Sequence, residues 1–110
     1  MKVENITSSN GNKVANQFII YTENGSVFQS YNSIIAKITD TKKDDNYYAS
    51  VELDRKYWNY SNTTGKYRNI FLNETITETK KKIKSGEYIL TDLNSKPVYE
   101  DTVETINLNK

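Results

Sequence analysis

Apolar and polar residues alternate along the first half of this chain with the two-residue period of β-strands. Val14 to Tyr21 (VANQFIIY) is rich in Ile and aromatic residues and reads as a strand. Glu23-Asn24-Gly25-Ser26 follows, and Asn-Gly between two hydrophobic runs is a strong hairpin signal. Val27 to Tyr31 gives a second strand and Ile34 to Thr39 a third, joined tightly at Asn32-Ser33. Strict alternation in the third sets Ile34, Ala36 and Ile38 on one face and Ile35 on the other. Asp40 to Asn46 (DTKKDDN) reads as a charged loop, and Tyr47 to Leu53 (YYASVEL) as a fourth strand. Residues 1–13 are polar, with a turn signal at Asn10-Gly11, and read as a loose arm or a short edge strand.

After Leu53 the period changes. Asn62, Thr63 or Thr64 supplies a cap for a helix running to about Leu72, on which Tyr67, Ile70 and Phe71 share one face. Thr75-Ile76-Thr77-Glu78 is a capping box that opens a second helix, and Ser85-Gly86 stops it. The apolar stripe of that helix is thin, Ile76 and Ile83 only, so its lysines Lys80 to Lys84 form a solvated face or, in a nucleic-acid binder, a salt-sensitive patch that tracks phosphates. Glu87 to Leu93 returns as a strand, Asn94 to Pro97 turns, and residues 95–110 read as an edge strand or tail centred on Val103 to Leu108. The pattern predicts one domain over residues 1–110. Its class is α+β: an antiparallel sheet of four to six strands with one or two short helices packed on one face.

Composition narrows the chemistry. Hydrophobic residues make up only 35% and mean hydropathy is −0.79, so the core is small. The aromatic share of 12% offsets this, because a tyrosine or tryptophan buries a large area while keeping a polar tip wet. Cysteine is absent, which removes disulfides, zinc fingers and thiol nucleophiles. Histidine is absent too, and with it the usual general base, the commonest metal ligand and the Ser-His triad. The acids Asp44-Asp45, Asp92 and Glu100-Asp101 make no recognisable metal site or carboxylate pair. We expect no enzymatic activity, no cofactor and no bound metal.

No apolar run approaches the ~20 residues that span a bilayer, and the N-terminus lacks the apolar core of a secretory signal. The expected setting is a bacterial cytoplasm. Sequons at Asn5, Asn24, Asn59, Asn62 and Asn73 then follow from an Asn-, Ser- and Thr-rich composition, not from glycosylation. Abundant Asn, Lys, Ile and Tyr fits an AT-rich coding sequence.

Charge is unevenly placed. Residues 55–84 carry eight cations against two acids, whereas the flanking segments are net acidic. Within this basic island, Lys56 to Leu72 (KYWNYSNTTGKYRNIFL) holds the only tryptophan and three of nine tyrosines. Arg55, Lys56, Tyr57, Trp58, Tyr60, Lys66 and Arg68 are the candidate binding residues. These aromatics either fill the core of a domain poor in leucine or, beside the cations, serve a protein interface, and the same mixture binds single-stranded nucleic acid. Ser61, Thr63 and Thr64 beside Lys66 and Arg68 form a helix start that either is simply capped or also contacts an anion. Gly65-Lys66 is no phosphate-loop signature, because Tyr67 stands where Ser or Thr is required.

The segments NGSVFQSYNSIIAKI, VELDRKYWNYSNTTGKYRNIFL and KIKSGEYILTDLN resemble a family of small proteins carried by phages and mobile elements of low-GC bacteria. That family brings no catalytic residues to carry over. The resemblance implies an accessory protein acting inside a bacterial host. By analogy with other small phage proteins, it would bind and inhibit a host defence effector, as anti-CRISPR proteins do. The expected partner is a host protein or ribonucleoprotein complex, with a nucleic acid as the alternative.

Overall fold

Five strands follow one another as an antiparallel meander in the computed structural model, which describes residues 1–95. They are β1 (Lys2–Thr7), β2 (Lys13–Thr22), β3 (Gly25–Ser30), β4 (Ser33–Lys43) and β5 (Asn46–Asp54). Two helices, α1 (Asn62–Leu72) and α2 (Ile76–Ser85), then cross over to β6 (Tyr88–Thr91), which pairs parallel to β5. A parallel neighbour needs such a crossover, and this one contains both helices. The architecture is therefore α+β, a six-stranded mixed sheet with two helices on one face. The strand or tail expected within residues 95–110 lies, beyond Ser95, outside the described residues. Among the described residues, no helix is long and apolar enough to cross a membrane.

The main core lies between sheet and helices. Ile6, Phe28, Ile35, Ala36, Val51, Leu53 and Tyr88 are buried there, with Tyr67, Phe71, Leu72 and Ile83 packed onto them from the helices. Burying each large aliphatic or aromatic side chain contributes about 1.5–3 kcal/mol. A smaller cluster of Ile20, Val27 and Ile34, with Leu93 against it, occupies the opposite face.

Ile34 and Ile35 do not sit as alternation predicts. The β3–β4 register shifts between Phe28, which faces Ala36, and Gln29, which faces Ile34. One extra residue on β4 is a bulge, and it reverses the parity of everything beyond it. Ile35 therefore joins Ala36 and Ile38 on the helix side, while Ile34 turns to the other face.

The charged loop expected over Asp40 to Asn46 is a hairpin instead. β4 and β5 stay paired as far as Lys43 and Asn46, and the two residues between them, Asp44 and Asp45, both have positive φ. That is the backbone a two-residue primed turn requires. Every residue from Asp40 to Ser50 is exposed, so this ribbon is held by its ladder and not by a core.

The β2–β3 hairpin turns on Glu23-Asn24, and Gly25 is already the first residue of β3, paired with Thr22. Gly25 has φ +156°, and a Cβ there would stand 2.0 Å from the Ile38 carbonyl oxygen. Only glycine lets β4 come this close.

Ser61, one residue before the expected caps, caps α1; its Oγ accepts from the Thr64 amide at 3.1 Å. Thr64 is fully buried and its Oγ1 lies 3.1 Å from Ser30 Oγ on β3, which fixes the helix start to the sheet. The inward line on α1 runs through buried Thr64 and Arg68 to half-buried Phe71, whose ring lies 5.8 Å from that of Phe28 between centroids. This rotation leaves Ile70 50% exposed, so of the expected face Tyr67 and Phe71 pack inward and Ile70 does not.

The capping box of α2 is present in full, with Thr75 and Glu78 bonding reciprocally, and Gly86 ends the helix in the left-handed region. Just before it, Glu74 accepts hydrogen bonds from Thr79 Oγ1 (2.5 Å), Tyr88 Oη (2.7 Å) and Lys82 Nζ (2.8 Å). This carboxylate ties the interhelical turn to α2 and β6. Burial alone would raise the Glu74 pKa, but these three bonds outweigh it and hold it below the ordinary carboxylate value; burial, helped by the bond to Glu74, raises that of Tyr88 to about 12.

Candidate binding site at the β5 to α1 junction

Residues 55–61 leave the end of β5 and enter α1, and one buried carboxylate sets their path. Asp54 Oδ2 accepts from the amides of Lys56 (3.0 Å) and Tyr57 (2.8 Å), closing a turn on its own backbone. Its Oδ1 accepts from the Leu93 amide at 2.8 Å, which ties the same turn to the segment after β6. Arg55 adds its amide to the Thr91 carbonyl and its Nη2 to the Leu90 carbonyl. Arg55 and Lys56 consequently face solvent.

Tyr57 and Trp58 are half-buried against the core, and Tyr60, 48% exposed, meets Tyr57 edge to face at 5.3 Å. Lys56 Nζ lies 5.2 Å from the Tyr57 ring centroid, and Lys66 Nζ, on the exposed side of α1, lies 5.4 Å from that of Tyr67. Such exposed cation–π contacts contribute about 0.5–1 kcal/mol. They hold each lysine beside an aromatic face.

Arg68 departs from the outward placement expected for it. It is 1% exposed, and its guanidinium sits 5.2 Å over the Trp58 ring. Nη1 donates to the Trp58 carbonyl (2.8 Å) and to Asn59 Oδ1 (3.0 Å), and Nη2 donates to Asn69 Oδ1 (2.9 Å). All three acceptors are neutral, and Nε is buried without a partner. Desolvation pushes the Arg68 pKa down, and the charge of Glu74 partly opposes it. Arg68 organises the junction from inside, whereas Arg55, Lys56, Lys66 and Tyr60 present it outside.

Two clefts flank this arrangement. One, of about 370 Å³, is lined by Arg55, Lys56 and Tyr57 together with Asp54, Asp92 and Asn94. The other, of about 350 Å³, opens at the start of α1 and is lined by Asn59, Ser61, Asn62, Lys66, Arg68 and Asn69, with Gly65 and Ile76. Among the described residues, no group of three His, Cys, Asp or Glu side chains could hold a metal ion.

Asp54, Asn59 and Asn69 belong to the site and carry no sequence signal that sets them apart from the many other polar residues. Arg68 had one. Thr64, Arg68 and Phe71 fall at i, i+4 and i+7, the spacing of one helix face, so the arginine shares the buried stripe.

The chain belongs to a family of unknown function (DUF8033), matched over residues 1–89. No curated protein and no solved structure matches it.

Proposed function

We propose that this protein acts by binding, without catalysis, and that it engages a macromolecular partner through the β5 to α1 junction. One observation carries the reading: exposed Arg55, Lys56, Tyr60 and Lys66 project from a segment whose backbone is fixed from within by Asp54 and Arg68. A rigid backbone presenting aromatic and cationic side chains loses little entropy on association. The resemblance to phage and mobile-element proteins makes a host defence effector, a protein or ribonucleoprotein complex inside the bacterial cell, the partner to test first. An anti-CRISPR-like inhibitor is the specific form of this proposal.

A nucleic acid is the second reading, favoured by the alternation of cation and ring at Lys56-Tyr57 and Lys66-Tyr67. Affinity capture from a bacterial lysate, with and without nuclease, separates the two. A partner retained at fixed stoichiometry after nuclease supports the protein interface, and one lost with nuclease supports the alternative. Because Arg68 is buried, the charge-reversal control is Lys56→Glu with Lys66→Glu. Capture unchanged by that pair would place the interface elsewhere.

A further inference from the structure

β1 is an edge of the sheet, and the ladder fixes which of its backbone groups point outward. The Tyr31 amide donates to the Asn16 carbonyl, in line with the β2–β3 register, so the even-numbered residues of β2 bond to β3. The odd-numbered ones bond to β1, where Tyr21 stands opposite Lys2 and Ile19 opposite Glu4. Lys2 and Glu4 therefore direct their backbone groups at β2. Those of Val3 and Asn5 point away from the sheet, to a side where no strand lies among the described residues. The irregularity between Asn5 and Thr7 ends this regular edge.

The side chains of the edge alternate between the two faces. Lys2 and Glu4 share one face with Tyr21, with Lys2 Nζ 3.5 Å from Glu4 and Tyr21 Oη donating to Glu4 at 2.8 Å. Both charged side chains stay open to solvent, 73% and 45% exposed. Val3 lies on the other face in register with Ile20 and is 56% exposed. Edge strands are often guarded by charge, but Lys-Val-Glu is complementary to itself when reversed. A two-fold axis keeps each face on its own side, so residues opposed across an antiparallel pair share parity. Centred on Val3, the pair sets each Lys2 opposite the Glu4 of the other copy. Centred on Glu4 it sets acid against acid, and centred on Asn5 it sets Glu4 against Ile6, which is buried. Parallel pairing in register sets Lys2 against Lys2. Charge selects the first arrangement.

We infer that β1 pairs antiparallel with β1 of a second copy of this chain, about a two-fold axis at Val3. The two Val3 residues exchange both backbone bonds, and their side chains meet on one face. On the other face Lys2 and Glu4 form ion pairs on either side of the axis, at positions without ladder bonds, where side chains stand closest. One short strand makes an interface of the small class, below ~1,200 Å², so the dimer is expected to be weak and concentration-dependent. β5 lies four strands away in the sheet, which leaves the β5 to α1 junction free in both copies. The pairing needs no other partner, so it stands or falls apart from the proposed function.

The test is sedimentation equilibrium of the full chain from about 10 μM to about 1 mM. The expected mass rises from 12.7 kDa toward twice that value. Lys2→Glu opposes like charges at both pairs and should raise Kd roughly tenfold or more. Lys2→Glu combined with Glu4→Lys reverses both charges, restores the complementarity and should return Kd to within about threefold of the original. ¹⁵N spectra of the unaltered chain should show concentration-dependent shifts at the amides of Val3 and Asn5. Monomer mass at every concentration would overturn the inference. So would a dimer that Lys2→Glu does not weaken, a double exchange that fails to recover it, or shifts confined to Asn46 to Ser50 on the other open edge.

Discussion

The guanidinium of Arg68 stacks over the Trp58 ring at 5.2 Å while donating to the carbonyl of the same residue at 2.8 Å. One side chain thus holds another residue by both its ring and its backbone. This contact joins α1 to the segment that leaves β5, and it fixes where Asn59 stands at the mouth of the cleft. Arg68→Met is expected to cost roughly 2–4 kcal/mol, because it removes a desolvated cation–π contact and leaves the Trp58 carbonyl unpaired. Arg68→Lys should recover only part of that, since an ammonium cannot reproduce the fork. Denaturant melts measure the loss. Trp58 is the only tryptophan, so its emission reports the same contact directly.

Glu74 sets a pH window. Its folded pKa lies below the value of 4.5 it has when unfolded, so the native state gives up that proton more readily. The associated stability is present above pH 4.5 and is lost as pH falls through the folded value. Tyr88 has the opposite sense, rising from 10.0 to about 12, so its contribution is full below pH 10 and disappears as pH climbs toward 12. Thermal melts across pH should show a plateau with both flanks falling. Glu74→Gln should flatten the acid flank and Tyr88→Phe the alkaline one.

Gln17 is fully buried on β2 with neither its Nε2 nor its Oε1 hydrogen-bonded. A buried amide left unpaired costs about 1–3 kcal/mol, so Gln17→Met, similar in length and apolar, should stabilise the fold by an amount in that range. Equilibrium unfolding of the two proteins decides it, and a destabilised Gln17→Met would point to a role for the amide itself.

Much of this architecture is legible in the chain. Runs of β-branched and aromatic residues between turn signals marked the meander, and Thr75 with Glu78 marked α2 because a capping box is wholly local. Features that depend on a neighbour were not legible. The parity of Ile34 and Ile35 depends on a bulge that β3 imposes, and the need for glycine at Gly25 depends on a carbonyl thirteen residues away. The Asp40 to Ser50 ribbon has no buried face, so it leaves no period to read. At the candidate site, six of the seven chosen residues lie exposed or half-buried. Arg68 is the exception: a positive charge argues for solvent, while its helix position in line with Thr64 and Phe71 places it inside.

The β5 to α1 junction competes as working surface with the exposed β4–β5 ribbon, where Tyr47 is 75% exposed beside Lys42. Hydrogen exchange on the free protein and on its captured complex tests the choice directly. New protection confined to residues 55–66, with the amides of Asp40 to Ser50 unchanged, is the result this account predicts. Protection of the ribbon, with residues 55–66 exchanging as they do in the free protein, would contradict it.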